Sequence, residues 1–173
     1  MTEHRSVSVL LVEDDDVYVE AMRRAFRLAG VDRPITVAGD GLDALVLLRG
    51  EGGRPPLPRP ILVVLDLNLP RMKGTEFLAE LGRDPALRCQ PVFVLTTSDD
   101  ERHKAEAYSR NATGYFVKPH DTRRLVEVAR FLDDFCNLVE PPPATTLDDA
   151  EVDVPQPPLR PNSRSTSSSP SVT

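Results

Sequence analysis

The feature that most constrains this chain is an apolar run, Ile61–Leu65, that ends abruptly in the carboxylate of Asp66. Five consecutive apolar residues, three of them β-branched, are typical of a strand buried on both faces of a parallel sheet. Asp66 has no packing reason to close such a strand. Because ligands bind just beyond the carboxyl ends of the strands in parallel α/β sheets, we expect Asp66 at a strand-to-loop junction that is open to solvent.

Apolar runs of strand length alternate along the chain with stretches of helical periodicity. The predicted strands are Val7–Val12, Ile35–Ala38, Ile61–Leu65, Val92–Leu95 and Tyr115–Val117. The predicted helices are Val17–Ala29, Asp40–Leu48, Lys73–Leu81, Asp99–Arg110 and a last helix that Asp121 caps. Five such alternations predict an α/β fold, a doubly wound five-stranded parallel sheet with helices on both faces.

Two of the predicted helices carry specific expectations about packing. The first is expected to bury one apolar stripe, which consists of Val17, Ala21, Ala25 and Leu28. The fourth, over residues 99–110, has only a thin apolar face. A helix with so few buried contacts is held weakly, so we expect this one to shift easily.

The composition changes at Pro141. Residues 141–173 hold eight of the 17 prolines and a run of serines, but almost no large apolar side chains. Such a segment cannot offset the entropy cost of ordering by burying apolar surface. We therefore predict one folded domain over residues 1–140 and a disordered Pro/Ser-rich tail over residues 141–173.

Charge and composition narrow the class of protein further. The net charge of −6 argues against non-specific binding to nucleic acid, and no apolar run is long enough to span a membrane. The first residues lack a signal-peptide pattern, so we expect a cytoplasmic protein. Cys89 and Cys136 have no CxxC spacing, and in that compartment buried free thiols are the expected state.

Chemically reactive side chains follow four of the predicted strands. They are Glu13 and Asp14, Asp66, Thr96 and Lys118. The carboxyl ends of parallel strands lie at one edge of the sheet, so these side chains are expected to meet there. Taken alone, the acidic run that begins at Glu13 could also be a solvated turn in which Asp15 or Asp16 caps the next helix.

Three crowded carboxylates need a cation, and hard oxygen ligands with open water positions suit Mg²⁺. With Mg²⁺ bound and Lys118 nearby, Asp66 would stay ionised and could attack phosphorus as a nucleophile. Lys118 and the metal would neutralise charge on the transferring phosphoryl group, and the Thr96 hydroxyl could donate to one of its oxygens.

Four motifs, in this order along residues 6–140, resemble those of the receiver domain of bacterial two-component response regulators. They are the acidic pair in Leu10–Asp15, the phosphorylation-site motif in Leu65–Pro70 with Lys73–Gly74, the switch threonine in Leu95–Ser98, and the Lys-Pro motif in Gly114–Pro119. The resemblance implies a flavodoxin-like sheet with strand order 2-1-3-4-5. It also implies that Asp66 accepts a phosphoryl group.

The resemblance also implies a role for each matching residue in the metal site. Asp14, Asp66 and the backbone carbonyl of Asn68 would bind Mg²⁺, and Glu13 would act partly through water.

Signal transmission would depend on a second set of matching residues. Thr96 and Tyr115 would form a coupled switch pair, and Lys118 would contact the phosphoryl group. The Lys118–Pro119 peptide bond would be cis, an isomer that an X-Pro bond reaches at modest cost.

A closer likeness is to small stand-alone regulators paired with phytochrome-type sensor kinases. It rests on the proline-rich loop before Ile61, on the Leu95–Ser98 and Lys118-Pro119 motifs, and on Phe131–Phe135 near the end. This likeness implies a sensor histidine kinase, of the phytochrome type, as the phosphodonor. His120 departs from the pattern, because many relatives have an apolar residue there, and we interpret it as a loop residue.

No helix-turn-helix or basic patch accompanies these motifs, so the output is expected to be contact with a downstream protein or onward phosphotransfer. The expected contact face combines the fourth helix, the fifth strand and the fifth helix, and it could form a homodimer. The last helix has spare apolar side chains, which would otherwise only thicken the core: Val126, Phe131, Leu138 and Val139.

Three other classes of protein fit the sequence less well. A pseudo-receiver that binds partners without phosphorylation would not need intact acids, Thr96 and Lys118. A Mg²⁺-dependent phosphohydrolase with an aspartyl nucleophile would need a second carboxylate two residues after it, where this chain has Asn68. A dinucleotide-binding domain would need a GxGxxG motif after the first strand, which is missing.

Overall fold

The computed structural model describes residues 7–140, in which five strands alternate with five helices. The strands are β1 (Ser8–Val12), β2 (Ile35–Ala38), β3 (Ile61–Leu65), β4 (Val92–Thr96) and β5 (Gly114–Val117). The helices are α1 (Asp16–Ala29), α2 (Gly41–Arg49), α3 (Gly74–Arg83), α4 (Glu101–Ser109) and α5 (Thr122–Leu138). The predicted tail, residues 141–173, lies outside the described residues.

All five strands are parallel and form one sheet in the order β2-β1-β3-β4-β5. The predicted fold class and strand order are confirmed. The central strand, β3, pairs with β1 and β4, so that Val63 lies opposite Leu10 on one side and Val92 on the other. Every residue of β3 is buried.

The sheet is covered on both faces, which explains the unbroken apolar run in β3. Ile61, Val63 and Leu65 pack into a cluster with α2, α3 and α4. Leu62 and Val64 point the other way and pack against α1 and α5. No described helix has both the length and the apolar character needed to cross a membrane.

Local signals in the sequence set the helix ends. Asp15 caps α1 by accepting hydrogen bonds from the backbone N–H groups of Val17 and Tyr18, and Gly30 closes the helix at φ 73°. Asp121 caps α5 as predicted. Asp15 rather than Asp16 is therefore the cap of the first helix.

The predicted apolar stripe of α1 is wrong at two of its four positions, whereas Ala25 is buried as predicted. Val17 and Leu28 are exposed, at 79% and 54% of their surface. The side chains that α1 buries are Val19, Met22, Ala25 and Phe26. This stripe carries larger side chains than the predicted one, and therefore removes more apolar surface from water.

The expectation that both cysteines are buried is wrong. Cys89 is exposed, and Cys136 is half-buried, although both thiols are free as predicted. Cys89 lies in the loop before β4, where Leu87 fills the core instead.

The Lys118–Pro119 bond is not cis; within residues 7–140 the cis peptide bond is Arg59–Pro60. The trans form is the preferred isomer of an X-Pro bond, and Lys118 makes its ion pairs from it. The thin packing of α4 agrees with the expectation, because Ala107 is its buried residue.

Gly74 is a position where an added side chain would collide with backbone atoms of β3 and the loop after it. A Cβ there would lie 2.5 Å from the backbone oxygen of Asp66 and 2.7 Å from the Cα of Leu67. We expect Gly74→Ala to lower the free energy of unfolding by about 1–3 kcal/mol, because backbone atoms cannot move aside cheaply. Urea denaturation monitored by circular dichroism measures this loss.

Gly82 is a matched control on the same helix, since a Cβ there meets nothing within 4 Å. Gly82→Ala should leave the protein equally stable or more stable, by up to about 1 kcal/mol, because alanine favours the helix. Equal unfolding midpoints for Gly74→Ala and the wild type would contradict the close approach of α3 to β3.

Candidate functional site

The carboxyl edge of the sheet holds a buried charge cluster. The Lys118 ammonium, just beyond β5, donates to Glu13 Oε2 at 2.6 Å and to Asp66 Oδ2 at 2.7 Å. All three residues are less than 10% exposed. Asp66 therefore lies at the predicted strand end. The expectation that it is open to solvent is wrong, because its carboxylate is buried beside Lys118 and Glu13.

Burial sets the electrostatics of this cluster. Loss of hydration raises the pKa of Glu13, and this effect outweighs the hydrogen bond and charge of Lys118, which lower it. Burial alone would lower the pKa of Lys118, but its hydrogen bonds with Asp66 and Glu13 outweigh that effect and raise it. Lys118 is therefore a permanent cation at neutral pH.

The acidic residues at this edge also form a candidate metal centre. Glu13, Asp14 and Asp66 each offer a carboxylate oxygen, and these oxygens lie within 4.8 Å of one another. Asp14 is exposed, whereas the other two residues are buried. An all-oxygen set with one solvent-exposed member suits a hard divalent cation that keeps part of its water, as Mg²⁺ does.

Asn68 links the loop after β3 to the end of β4. Its backbone N–H donates to Asp66 Oδ1 at 3.1 Å. Its side-chain amide donates to Thr97 Oγ1 at 3.3 Å and, at the limit of a hydrogen bond, to Thr96 Oγ1 at 3.5 Å. Thr96 is completely buried at the end of β4. The predicted site residues on β3 and β4 are thus connected through Asn68.

Tyr115 lies apart from the carboxylates. Its hydroxyl donates to the Ser98 carbonyl at 2.7 Å, which ties β5 to the loop between β4 and α4. The pKa of Tyr115 is raised, and burial is the main cause. Tyr115 therefore lies outside the charge cluster. Its link to Thr96 is indirect and runs through Ser98, in the loop that follows Thr96.

Tyr18 belongs to the site, although the sequence analysis did not single it out. The ammonium of Lys118 lies 4.3 Å from the centroid of the Tyr18 ring, which is a cation–π contact. The signal was present in the sequence, since Tyr18 precedes Val19 and Met22 on the inward side of α1. It was missed because the predicted stripe of α1 began at Val17.

Arg71 is a second residue that sequence analysis missed. It adopts a left-handed backbone conformation, at φ 56°, in the loop between β3 and α3. Its guanidinium pairs with the buried carboxylate of Asp40, which caps α2, and with Asp43. Nothing in the residue pattern indicated this contact, because Arg71 and Asp40 lie 31 residues apart in two loops and Arg71 is not at a strand end. It holds the loop after Asp66 against α2.

The two histidines within residues 7–140, His103 and His120, take no part in the candidate metal centre. His120 is an exposed loop residue, as predicted. His103 is exposed on α4, where its Nδ1 pairs with the Ser98 hydroxyl at 2.7 Å.

Removal of the buried cation tests the electrostatics of the cluster. Lys118→Met should lower the free energy of unfolding by about 3–5 kcal/mol at neutral pH, because Glu13 and Asp66 lose their buried partner. The loss should shrink when Mg²⁺ is added. It should also shrink as the pH falls, since a proton on Glu13 removes one uncompensated charge. Urea denaturation with and without Mg²⁺ measures these effects.

Lys104→Met is the matched control, because Lys104 pairs with the exposed Glu101 on the surface of α4. Such a pair contributes about 0–1 kcal/mol, and its loss should not respond to Mg²⁺. A Lys118→Met protein as stable as the control would contradict a structural role for the buried ion pairs.

Comparison with known proteins agrees with this architecture. The family model for the response regulator receiver domain matches residues 9–130. The response regulator Rcp1 of Synechocystis sp. is 33% identical over 127 residues, which cover 73% of this chain and 86% of Rcp1. The probable methanogenesis regulatory protein FilR2 of Methanothrix harundinacea is 42% identical over 123 residues, which cover 69% of this chain and 78% of FilR2.

Solved structures give the same result. The phosphorylated cyanobacterial phytochrome response regulator RcpA aligns with a TM-score of 0.70 at 32% identity, over 76% of this chain and 94% of RcpA. The Mn²⁺-bound form of Rcp1 also aligns with a TM-score of 0.70 at 32% identity, over 79% of this chain and 99% of Rcp1. From the family match and these relatives, we conclude that the chain belongs to the response regulator receiver domain family of two-component signalling.

Proposed function

We propose that this chain is a single-domain response regulator that accepts a phosphoryl group on Asp66 from a sensor histidine kinase in the cytoplasm. The observation that carries the proposal is the buried Lys118, whose ammonium contacts both Asp66 and Glu13 beside the exposed Asp14. A fixed cation beside three carboxylates at the carboxyl edge of a parallel sheet suits a site that handles anionic oxygen.

In the proposed reaction, one carboxylate oxygen of Asp66 attacks the phosphorus of the donor, and the bond between that phosphorus and the donor breaks. Glu13, Asp14, Asp66 and the backbone carbonyl of Asn68 would hold Mg²⁺, which supplies charge neutralisation when it is bound. Support for a divalent ion comes from Rcp1, which has been crystallised in a Mn²⁺-bound form. Lys118 would move its contact from Asp66 to a phosphoryl oxygen.

The chain is proposed to act as a phosphoacceptor rather than as an enzyme with an external substrate. Asn68 occupies the position where an aspartyl phosphohydrolase needs a second carboxylate, so no general acid is available there. Slow self-dephosphorylation is the most that this residue set supports. The phosphodonor is proposed to be a sensor histidine kinase of the phytochrome type, because RcpA is a phytochrome response regulator.

Phosphorylation is proposed to act on α4 through the switch pair. Thr96 is buried next to the Asn68 amide, and its hydroxyl would turn toward the phosphoryl group. The loop that follows Thr96 is bonded to Tyr115 through Ser98, so a shift of this loop would move both residues. Because α4 buries little, a bias of about 2–5 kcal/mol would suffice to reposition it.

Intact-mass measurement after incubation with acetyl phosphate and Mg²⁺ tests the phosphoacceptor proposal. The wild type should gain one phosphoryl group, and Asp66→Asn should gain none, because the attacking oxygen is missing. Asp16→Asn is the matched control, since Asp16 is an exposed acid in the same acidic run and should not affect phosphorylation.

The other outcomes of this experiment are informative. A mass gain in Asp66→Asn would mean that another aspartate accepts the group. No gain in the wild type, either with acetyl phosphate or with a phytochrome-type kinase, would favour a pseudo-receiver that binds its partners without phosphorylation.

The contact face is proposed to be the surface of α4, β5 and α5, which would bind a downstream protein or a second copy of the chain. Three apolar side chains in this part of the chain are exposed: Phe131 and Leu138 on α5, at 45% and 84% of their surface, and Val139 directly after it, at 46%. Val126 differs, because it packs against the core and so only thickens it. Exposed apolar side chains next to the edge strand β5 favour a protein contact.

Sedimentation of the phosphorylated protein tests this face. Leu138→Glu should shift a dimer toward monomer, because it places a charge in the proposed apolar contact. Leu28→Glu is the control, since Leu28 is also an exposed leucine but belongs to α1, outside the proposed face. The same sedimentation profile for Leu138→Glu and the wild-type dimer would exclude this part of α5 from the interface.

The proposed receiver unit is residues 1–140, and the segment 141–173 is not required for phosphorylation of Asp66. This division follows from the change of composition at Pro141.

A further inference from the structure

One buried polar group remains without a hydrogen bond. Among the described residues, the hydroxyl oxygen of Tyr18 is buried and has no hydrogen-bond partner. Native proteins rarely leave such groups unpaired, because desolvation of a hydroxyl is not repaid without a bond. A phenylalanine would fill the same space without this cost. The hydroxyl therefore needs a hydrogen-bond partner other than the described protein atoms.

The surroundings of Tyr18 indicate what the partner is. Its ring packs against the Lys118 ammonium, so the side chain borders the site of the proposed phosphotransfer. Burial is the main cause of the raised pKa of Tyr18, and the negative charges of Glu13 and Asp66 raise it further. The hydroxyl is therefore a protonated donor at neutral pH.

The carboxylate oxygens of Glu13 and Asp66 already accept hydrogen bonds from other donors. Lys118 contacts one oxygen of Glu13 and one of Asp66. The second oxygen of Glu13 accepts a hydrogen bond from the backbone N–H of Asp15. The second oxygen of Asp66 accepts one from the backbone N–H of Asn68. A phosphoryl group on Asp66 would bring three new acceptor oxygens to the site that Lys118 and the Tyr18 ring share.

We propose that Tyr18 is a further residue of the phosphoacceptor site, in which its hydroxyl donates a hydrogen bond to an oxygen of the phosphoryl group on Asp66. Its ring meanwhile holds the ammonium of Lys118 while that ammonium exchanges a carboxylate oxygen for a phosphoryl oxygen. This inference rests on the proposed function of Asp66. It explains why the buried end of this half-buried side chain carries a hydroxyl, where phenylalanine would be more stable.

Binding of beryllofluoride, a stable mimic of the phosphoryl group, tests the inference on the full chain in the presence of Mg²⁺. Tyr18→Phe retains the ring and removes only the hydroxyl. We expect it to bind beryllofluoride about tenfold more weakly, the effect of losing one hydrogen bond to a charged oxygen. Calorimetric titration measures the affinity, and the affinity for Mg²⁺ alone should not change.

The stability of the ligand-free protein gives a second, opposite readout. Tyr18→Phe should unfold at the same temperature as the wild type or at a higher one, because it removes an unpaired buried hydroxyl. A merely structural role for the hydroxyl would instead lower both stability and affinity. Tyr108→Phe is the matched control, since Tyr108 is exposed on α4 and should change neither quantity.

Two results would overturn the inference. One is a Tyr18→Phe protein that binds beryllofluoride as tightly as the wild type does. The other is a lower unfolding temperature for ligand-free Tyr18→Phe, because the hydroxyl would then have a partner before phosphorylation. Failure of the wild type to bind beryllofluoride or to react with acetyl phosphate would overturn the role of Asp66 itself, and with it the role of Tyr18.

Discussion

The site depends on one interaction, the sharing of the Lys118 ammonium between Glu13 and Asp66. These three residues follow β1, β3 and β5, so the ion pairs join the carboxyl ends of strands that are distant in sequence. Burial of three charges costs a large desolvation energy, and close ion pairs offset it only when the geometry is good. The arrangement is therefore held by the rest of the fold, and it leaves one net negative charge ready for a cation.

The two core layers supply that rigidity. β3 is buried by helices on both faces, and β1 and β4 flank it in register, so the ends of the three strands cannot move independently. The close approach of Gly74 to the backbone at Asp66 fixes the start of α3 against the same strand. Among the five helices of residues 7–140, α4 is the weakly packed one, with Ala107 as its buried residue. The fold thus combines a rigid edge that can carry out chemistry with one helix that can respond to it.

Sequence reasoning predicted the strands and helices to within one or two residues, because strand and helix periods differ clearly and the caps, Asp15, Asp121 and Gly30, act locally. It also identified the residues that meet at the sheet edge. It failed for the buried stripe of α1, where two stripes of similar apolar character were available and packing against α5 selected the bulkier one. It failed as well for the environment of Asp66, since burial depends on what the distant Lys118 contacts.

By itself, the sequence determined the α/β alternation, the strand that ends in Asp66 and the set of charged side chains at one edge. These follow from local periodicity and from the rule that parallel strands end on the same side. Tertiary structure alone decided that Asp66 is enclosed, that Tyr18 joins the site through its ring and that Arg71 reaches Asp40. Each of these contacts joins residues far apart in the chain, and its geometry exists only after the helices have packed onto the sheet.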